Sequence, residues 1–375
     1  MGSLRWRRAV YASMWGQTTP SAWLQLALLP LWLASQGYRA LARGHLASYT
    51  WGLCRRRRLP CPVVSIGNLT LGGTGKTPLT IWVARWYQQQ GWRVAVLSRG
   101  YGAQPPTRLR VVSAGQGPLL DWRAAGDEPY LLACCLPGVP VVIGRDRYQS
   151  GRYAYEQFGV HVLILDDGFQ HYALQRDLDI VLIDASNPFG AGMLFPRGIL
   201  REPLRALQRA DAVVLTRVEM AAGQLPALCQ QIRRWNRHQS VYRMTTVAEA
   251  LHRRDMHSPV DLAVLRQRRV VAFAGIGHPP AFVTTLTQLE AEVAALLVFP
   301  DHHPYTPEDW RTIIATADKH QAACLITTAK DAVRLAPAWQ APVPVYTLHI
   351  GVTFAASDAL LAHQLQALMH HADPR

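Results

Sequence analysis

The first 120 residues contain no Asp or Glu. At the chain's mean density of 25 carboxylates in 375 residues, that stretch would hold about 8. It carries instead 14 Arg and one Lys, while the rest of the chain is nearly balanced at 24 basic and 25 acidic groups, so the formal charge of +14 belongs to the N-terminal third. Lysine is scarce everywhere, with three residues (76, 319 and 330) against 36 Arg. A bias toward Arg explains missing Lys but not missing acids, which point to an anionic partner, membrane or nucleic acid. The six Cys show no Cys-x-x-Cys spacing, which excludes a zinc ribbon and a dense disulfide framework and leaves reduced thiols as the expectation. Charged residues make up only 17% and apolar ones 49%, which excludes a disordered chain and leaves a folded one long enough for two domains.

No apolar run reaches the roughly 20 residues that span a bilayer. The longest N-terminal candidate, Ala22 to Ala34, stops short and contains Pro30. Arg5, Arg7 and Arg8 precede it, Arg39, Arg43 and Arg55 to Arg58 follow it, and Trp6, Trp15, Trp23, Trp32 and Trp51 are interleaved. Trp and Arg around a short apolar helix suit the bilayer interface, where apolar faces dip in and guanidinium groups meet lipid phosphates. A signal peptide also has a basic start and a short apolar core, but Pro30 and the lack of a small-x-small cleavage site argue against it. A helix packed on the first domain is the remaining alternative.

Beyond residue 60, β-branched runs alternate with helix-like stretches, which predicts an α/β fold with a parallel sheet. Strands are expected at 62–66, 93–98, 139–143, 161–165, 180–184 and 212–216, then at 270–274, 293–299, 323–327 and 343–348. The polar, aperiodic stretch between the two sets reads as a linker. The organisation expected is a membrane-associating segment at 1–60, a P-loop domain at 61–247, a linker at 248–268 and a smaller α/β domain at 269–375.

After the first strand comes Thr70-Leu71-Gly72-Gly73-Thr74-Gly75-Lys76-Thr77. A glycine-rich turn opening a helix wraps phosphates with backbone N–H groups, Lys76 reaches the β and γ oxygens, and the Thr77 hydroxyl suits Mg²⁺. The pattern calls for Gly at its first position, where this chain has Thr70. That one of three Lys stands at 76 fits a site needing a compact ammonium rather than a planar fork. A later apolar strand ends in Asp166-Asp167, which predicts carboxylates at the sheet edge completing the Mg²⁺ shell. Gln170 and His171 follow, either as phosphate contacts or as a helix cap. No Asn/Thr-Lys-x-Asp guanine signature is present, since Thr328-Ala329-Lys330-Asp331 has the wrong spacing, so ATP is the expected nucleotide.

The P-loop with Pro78, Ser98-Arg99-Gly100-Tyr101-Gly102, Gly126-Asp127-Glu128-Pro129, Asp166-Asp167-Gly168-Phe169-Gln170-His171, Arg201-Glu202-Pro203-Leu204, Phe273-Ala274-Gly275-Ile276-Gly277 and Asp301-His302-His303 occur in this order. From about Val63 to Leu335 the series resembles the tetraacyldisaccharide 4′-kinase family of Gram-negative bacteria. Thr70 fits that family's pattern; Ala329, where an acid is expected, departs from it and questions a role for its segment. The resemblance implies transfer of the ATP γ-phosphoryl group to the 4′-hydroxyl of a tetraacylated diglucosamine 1-phosphate at the cytoplasmic face of the inner membrane. It implies no nucleic-acid partner. It also implies Asp127 as general base, partnered by a His of the Asp301-His302-His303 segment, with His302 chosen over His303. Arg99, with Gln170 and His171, is a candidate contact to substrate or phosphate. Read from the residues alone, Asp127 is equally a helix N-cap. Two other classes are open to the residues: a membrane-bound ATPase or GTPase switch, which would hydrolyse nucleotide without a lipid acceptor, and a nucleic-acid binder, which would prefer DNA to anionic vesicles.

Overall fold

A computed structural model describes residues 2–106, 109–236, 240–254, 259–355 and 359–370. Strands run in chain order as β1 (Val63–Asn68), β2 (Val94–Ser98), β3 (Leu109–Ala114), β4 (Pro140–Gly144), β5 (Val162–Asp166), β6 (Leu178–Asp184), β7 (Ala212–Thr216), β8 (Ser240–Arg253), β9 (Pro259–Val260), β10 (Arg269–Ala274), β11 (Glu292–Val298), β12 (Cys324–Thr328) and β13 (Val345–Phe354). Helices are α1 (Gly2–Met14), α2 (Ala22–Ala27), α3 (Leu29–Thr50), α4 (Lys76–Gln89), α5 (Trp122–Ala125), α6 (Asp127–Cys135), α7 (Arg147–Phe158), α8 (Leu225–Trp235), α9 (Pro279–Gln288), α10 (Pro307–Lys319), α11 (Ala329–Ala332) and α12 (Ala359–His370).

The α/β class read from the sequence is the one observed. The strand order is β11-β10-β12-β13-β8-β7-β6-β1-β5-β2-β4-β3, with β9 beside β8. The strands β7, β6, β1, β5, β2 and β4 are parallel, and β11, β10, β12 and β13 form a second parallel set. β1, β2, β4, β5 and β6 are buried throughout, as continuous apolar strands with helices on both faces must be. β3 closes the edge antiparallel to β4. It was missed because its half-buried pattern is weak.

β8 is likewise outside the strands expected from the sequence, and it changes the organisation. Its first residues pair in parallel with β7, and residues 244–253 then run antiparallel to β13. Residues 248–253, expected within a linker, are therefore paired strand. Polar residues there give no apolar period because the ribbon is half exposed. The boundary near the C-terminus differs too: α12 returns to the first unit, where Leu361, Leu365 and Met369 share a core with Ile66, Leu79 and Tyr87. The Tyr87 hydroxyl donates to the Leu365 carbonyl at 3.2 Å.

The apolar run at 22–34 forms two helices broken at Leu28, with Pro30 in the first turn of α3, where its missing N–H costs nothing. Trp23, Leu26, Leu29, Leu33, Leu41, Trp51 and Leu53 are exposed, while Leu28 and Ser35 turn inward. α3 is tied down through Tyr38, whose hydroxyl donates to the Arg201 carbonyl at 2.9 Å, and through His45 and Tyr49 packed on Tyr172. Among the described residues, no helix is long and apolar enough to cross a membrane. The side chains of Arg5, Arg7 and Arg8 lie outside the described residues.

Candidate active site

The carboxyl ends of β1, β5 and β10 open on one cleft of about 910 Å³ between the two units. Leu71 to Thr77, Asp166 and Asp167 line it from the first unit, and Gly277, His302 and Lys330 from the second. Thr70 lies on the β1 side of the loop, buried and bridged to Leu200 in extended pairing, so no left-handed backbone is needed there. The loop takes a positive φ at Gly72 (97°) and at Gly75 (89°), the residue that caps α4. Lys76 opens α4, with its ammonium 3.2 Å from Asn68 Oδ1 and 3.5 Å from Asp167 Oδ1. The Thr74 hydroxyl is buried without a protein partner. Arg217, held by Asp184, donates to the Gly73 carbonyl at 2.7 Å. Gly277 approaches so closely that a Cβ on it would lie 2.9 Å from the Gly73 nitrogen, which brings the second unit onto the phosphate loop.

The two carboxylates after β5 have different environments. Asp166 is buried and accepts a hydrogen bond from Thr80 Oγ1 at 3.3 Å. Burial raises its pKa, and the negative charges of Glu128 and Asp167 push it further. Burial opposes ionisation of Asp167 as well, but Lys76 and Arg201 override it and hold its pKa down to about 2. Lys76 contributes most, and Arg201 adds to it through Nη1, which donates to both Asp167 oxygens at 2.9 and 3.0 Å. Thr77 lines the cleft beside them.

Asp127 opens α6 and His302 sits in the loop after β11, at φ 61°, with His302 Nδ1 2.7 Å from Asp127 Oδ2. The other Asp127 oxygen accepts the Glu128 N–H at 3.0 Å, but Gly126 holds the N-cap position and no side chain caps α6, so the helix-cap reading gives way to the cross-unit pair. Burial opposes its charge, but the hydrogen bond from His302 and the charges of Lys330 and Arg334 lower its pKa below the ordinary carboxylate range. Asp127 is 6% exposed, with Glu128, His302 and Lys330 lining the cleft beside it. His303 turns away to Asp309 at 2.8 Å and stacks on Phe299. The geometry therefore pairs Asp127 with His302.

Lys330 joins this pair. Its ammonium lies 3.1 Å from Glu128 Oε1, 3.2 Å from Asp301 Oδ1 and 3.5 Å from His302 Nε2. Burial would lower its pKa, yet Glu128, Asp301 and Asp127 raise it. Ala329 does not disturb this, because the charge comes from its neighbour. Two of the three Lys of the chain thus face one cleft, a signal already present in the composition. Arg201, Thr80, Asn68 and Arg217 are ordinary in sequence, and each gains its partner only through the fold.

Arg99 is exposed on the cleft wall. Gln170 donates to the Asn68 carbonyl and to Glu202, both at 3.0 Å, and leaves its own oxygen buried without a partner. His171 Nε2 is likewise buried and unpaired; burial and the charges of Arg147, Arg176 and Arg99 lower its pKa to about 4. Arg147 is buried beside it.

Residues 27–370 match the family model described as tetraacyldisaccharide-1-P 4′-kinase. The chain is 44% identical over 326 residues to a tetraacyldisaccharide 4′-kinase of Anaeromyxobacter dehalogenans, covering 87% of this chain and 86% of that one. A protein of the same name from Syntrophus aciditrophicus is 43% identical over 309 residues, covering 80% and 83%. A crystal structure of LpxK from Aquifex aeolicus in complex with ATP superimposes with a TM-score of 0.71 at 33% identity, covering 91% of this chain and 99% of that one.

Proposed function

The chain belongs to the tetraacyldisaccharide-1-P 4′-kinase family and is a kinase of lipid A biosynthesis with a glycolipid substrate, and from that premise we propose how its residues carry the transfer. The γ-phosphoryl group of ATP is held by Leu71 to Thr77, with Lys76 and the unpartnered Thr74 hydroxyl among its contacts. Phosphoryl transfer needs position and charge neutralisation more than covalent help. Lys76 and Arg201 supply fixed positive charge beside Asp167, and Arg217 braces the loop through the Gly73 carbonyl.

Mg²⁺ fits this donor set. Asp166, Asp167 and Thr77 offer oxygen ligands only, and the crowding of Asp166 by Glu128 and Asp167 is the repulsion a hard cation relieves. Bound there by these residues and by phosphate oxygens, it would neutralise charge on the β and γ phosphates. Among the described residues no cluster of three His, Cys, Asp or Glu forms a complete metal cage, in keeping with an ion that arrives with its nucleotide.

The attacking 4′-hydroxyl gives its proton to Asp127, and His302 fixes the oxygen that receives it. The single observation carrying this is the 2.7 Å bond between Asp127 and His302 across two units, beside the phosphate loop. Both His302 nitrogens are engaged, one by Asp127 and the other by Lys330 at 3.5 Å, whereas each Asp127 oxygen, with one bond from His302 Nδ1 or from the Glu128 N–H, keeps a second lone pair for the proton. Arg99, Gln170 and His171 serve the sugar and phosphate groups of the acceptor.

The exposed Trp23, Leu26, Leu33 and Trp51 with the basic residues 39, 43 and 55–58 support a monotopic seat on anionic lipid at the cytoplasmic face of the inner membrane. The test of the function is transfer of labelled γ-phosphate from ATP to a tetraacylated glucosamine disaccharide 1-phosphate. Transfer to that lipid with little ADP formed in its absence supports the kinase; equal ADP production with and without it supports the hydrolytic switch.

A further inference from the structure

The segment before residue 27, outside the span of the family model, does more than approach a membrane. Trp15, directly after α1, lays its ring on Gly72 of the phosphate loop: a Cβ on Gly72 would lie 2.8 Å from ring atom Cη2. The residue is anchored through its backbone and its neighbours. Its own carbonyl accepts from Asn187 Nδ2 at 2.9 Å, and Asn187 Oδ1 accepts the Gly190 N–H at 3.0 Å. The Met14 carbonyl accepts from Ala191 at 3.3 Å, and buried Ser13 accepts from buried Arg197 at 3.3 Å. Tyr11 packs on the indole with ring centroids 5.5 Å apart. Gly16 closes on Gly190 so tightly that a Cβ would lie 2.8 Å from its carbonyl carbon.

We propose that Trp15 is a positioning residue for the nucleotide: it fixes the backbone of Gly72, next to the Gly73 that Arg217 and Gly277 brace, and so sets the loop's N–H groups for the triphosphate. This rests on the reading that the loop binds ATP. A flat ring can cover a glycine at φ 97° without occupying the space above the phosphates, whereas a shorter side chain leaves the loop free to shift on one side. Displacement of a positioning group by about 1 Å is enough to cost up to ~10²-fold in turnover.

The test uses the full chain in mixed micelles. Trp15→Ala should raise the KM for ATP about tenfold and lower kcat by a smaller factor, the order expected of a displaced binding loop. The KM for the lipid acceptor should stay unchanged. Trp15→Phe, which keeps a flat ring, should recover most of the ATP affinity, and Trp15→Leu, which keeps apolar bulk without the ring, should not; this pair stands in if the Ala variant fails to fold. Direct binding of a fluorescent ATP analogue should follow the same order, with Lys76→Ala as the control for the loop itself. An unchanged ATP KM in both the Ala and Leu variants overturns the proposal. So does a rise confined to the lipid KM with release from anionic vesicles, which would make Trp15 part of the membrane face. Full analogue binding by Lys76→Ala would instead overturn the underlying reading of the loop, whatever the Trp15 variants do.

Discussion

Replacing Asp127 by Asn keeps the shape of the side chain and removes only its charge. The Asn oxygen still accepts from His302 Nδ1, so the geometry of the pair can persist. The neighbouring cations also keep partners: Lys330 retains Glu128 at 3.1 Å and Asp301 at 3.2 Å, and Arg334 retains Asp331 at 2.6 Å. The fold should therefore survive, because no buried charge is left alone. What disappears is the acceptor for the hydroxyl proton, worth roughly 10²–10⁴-fold in turnover for a positioned base, or about 3–5 kcal/mol of barrier.

Single-turnover transfer of labelled phosphate, with ATP binding measured separately, checks this. Turnover should fall within that range while ATP affinity stays near wild type. His302→Ala should fall by less, and the double variant should be little worse than Asp127→Asn alone, since without the carboxylate the imidazole has nothing left to orient. A loss in His302→Ala as large as in Asp127→Asn would mean that the imidazole itself carries the proton, with Asp127 orienting it. Wild-type turnover in Asp127→Asn would refute the assignment outright. The pH profile adds a sign. Because His302, Lys330 and Arg334 hold the Asp127 pKa below the usual carboxylate range against the effect of burial, Asp127 is ionised throughout the neutral range. Its protonation should produce no fall in kcat/KM until the pH drops below that ordinary range. Its contribution to stability is likewise present above the unfolded carboxylate pKa and lost as pH falls through the lower folded one.

Lys76→Ala should lose most turnover, and Lys76→Arg should also fail because a guanidinium is longer and planar beside Asn68 and Asp167; steady-state kinetics of both variants would show it, and full activity of the Arg form would contradict the need for Lys. Asp166→Asn and Asp167→Asn should raise the Mg²⁺ concentration needed for half-maximal rate with circular dichroism unchanged; a magnesium titration that does not move in either variant removes both from the metal site. Lys330→Met should slow turnover and lower the melting temperature, since Glu128, Asp301 and Asp127 then face one another without their shared cation, and a melting curve identical to wild type would show that the cluster is solvated instead. Glu in place of Trp23, Leu26 and Leu33, which are all exposed, should weaken sedimentation with anionic vesicles while leaving activity on detergent-dispersed lipid largely intact; these sites are preferable to truncation at residue 34, which would also remove Trp15 from Gly72.

The parts of this molecule that were legible in the sequence are those whose chemistry is local. The phosphate loop is eight consecutive residues, and the buried strands announce themselves because a strand covered on both faces must be apolar at nearly every position. β8 has no such constraint: over 244–253 it pairs only with β13 and short β9, so half its side chains meet water and its pattern resembles a loop. The return of α12 to the first core was hidden for a different reason, since an apolar helix face does not say which sheet it will cover. The same distinction separates the site residues. Asp127 and His302 are 175 positions apart, and residue types alone left Asp127 equally a helix cap; only the family resemblance joined the two before the fold did. Lys330 was nearer to being found. In a chain that writes Arg at 36 of 39 basic positions, a Lys marks a place where a compact cation serves better than a planar one. Lys319, in the last turn of α10, has the usual reason of a helix C-terminus. The other two have carboxylates around them in one cleft, Asp167 beside Lys76 and Glu128 with Asp301 beside Lys330. An ammonium, with three donors and no plane, can serve carboxylates that converge from several directions, where a guanidinium would satisfy one fork and crowd the rest.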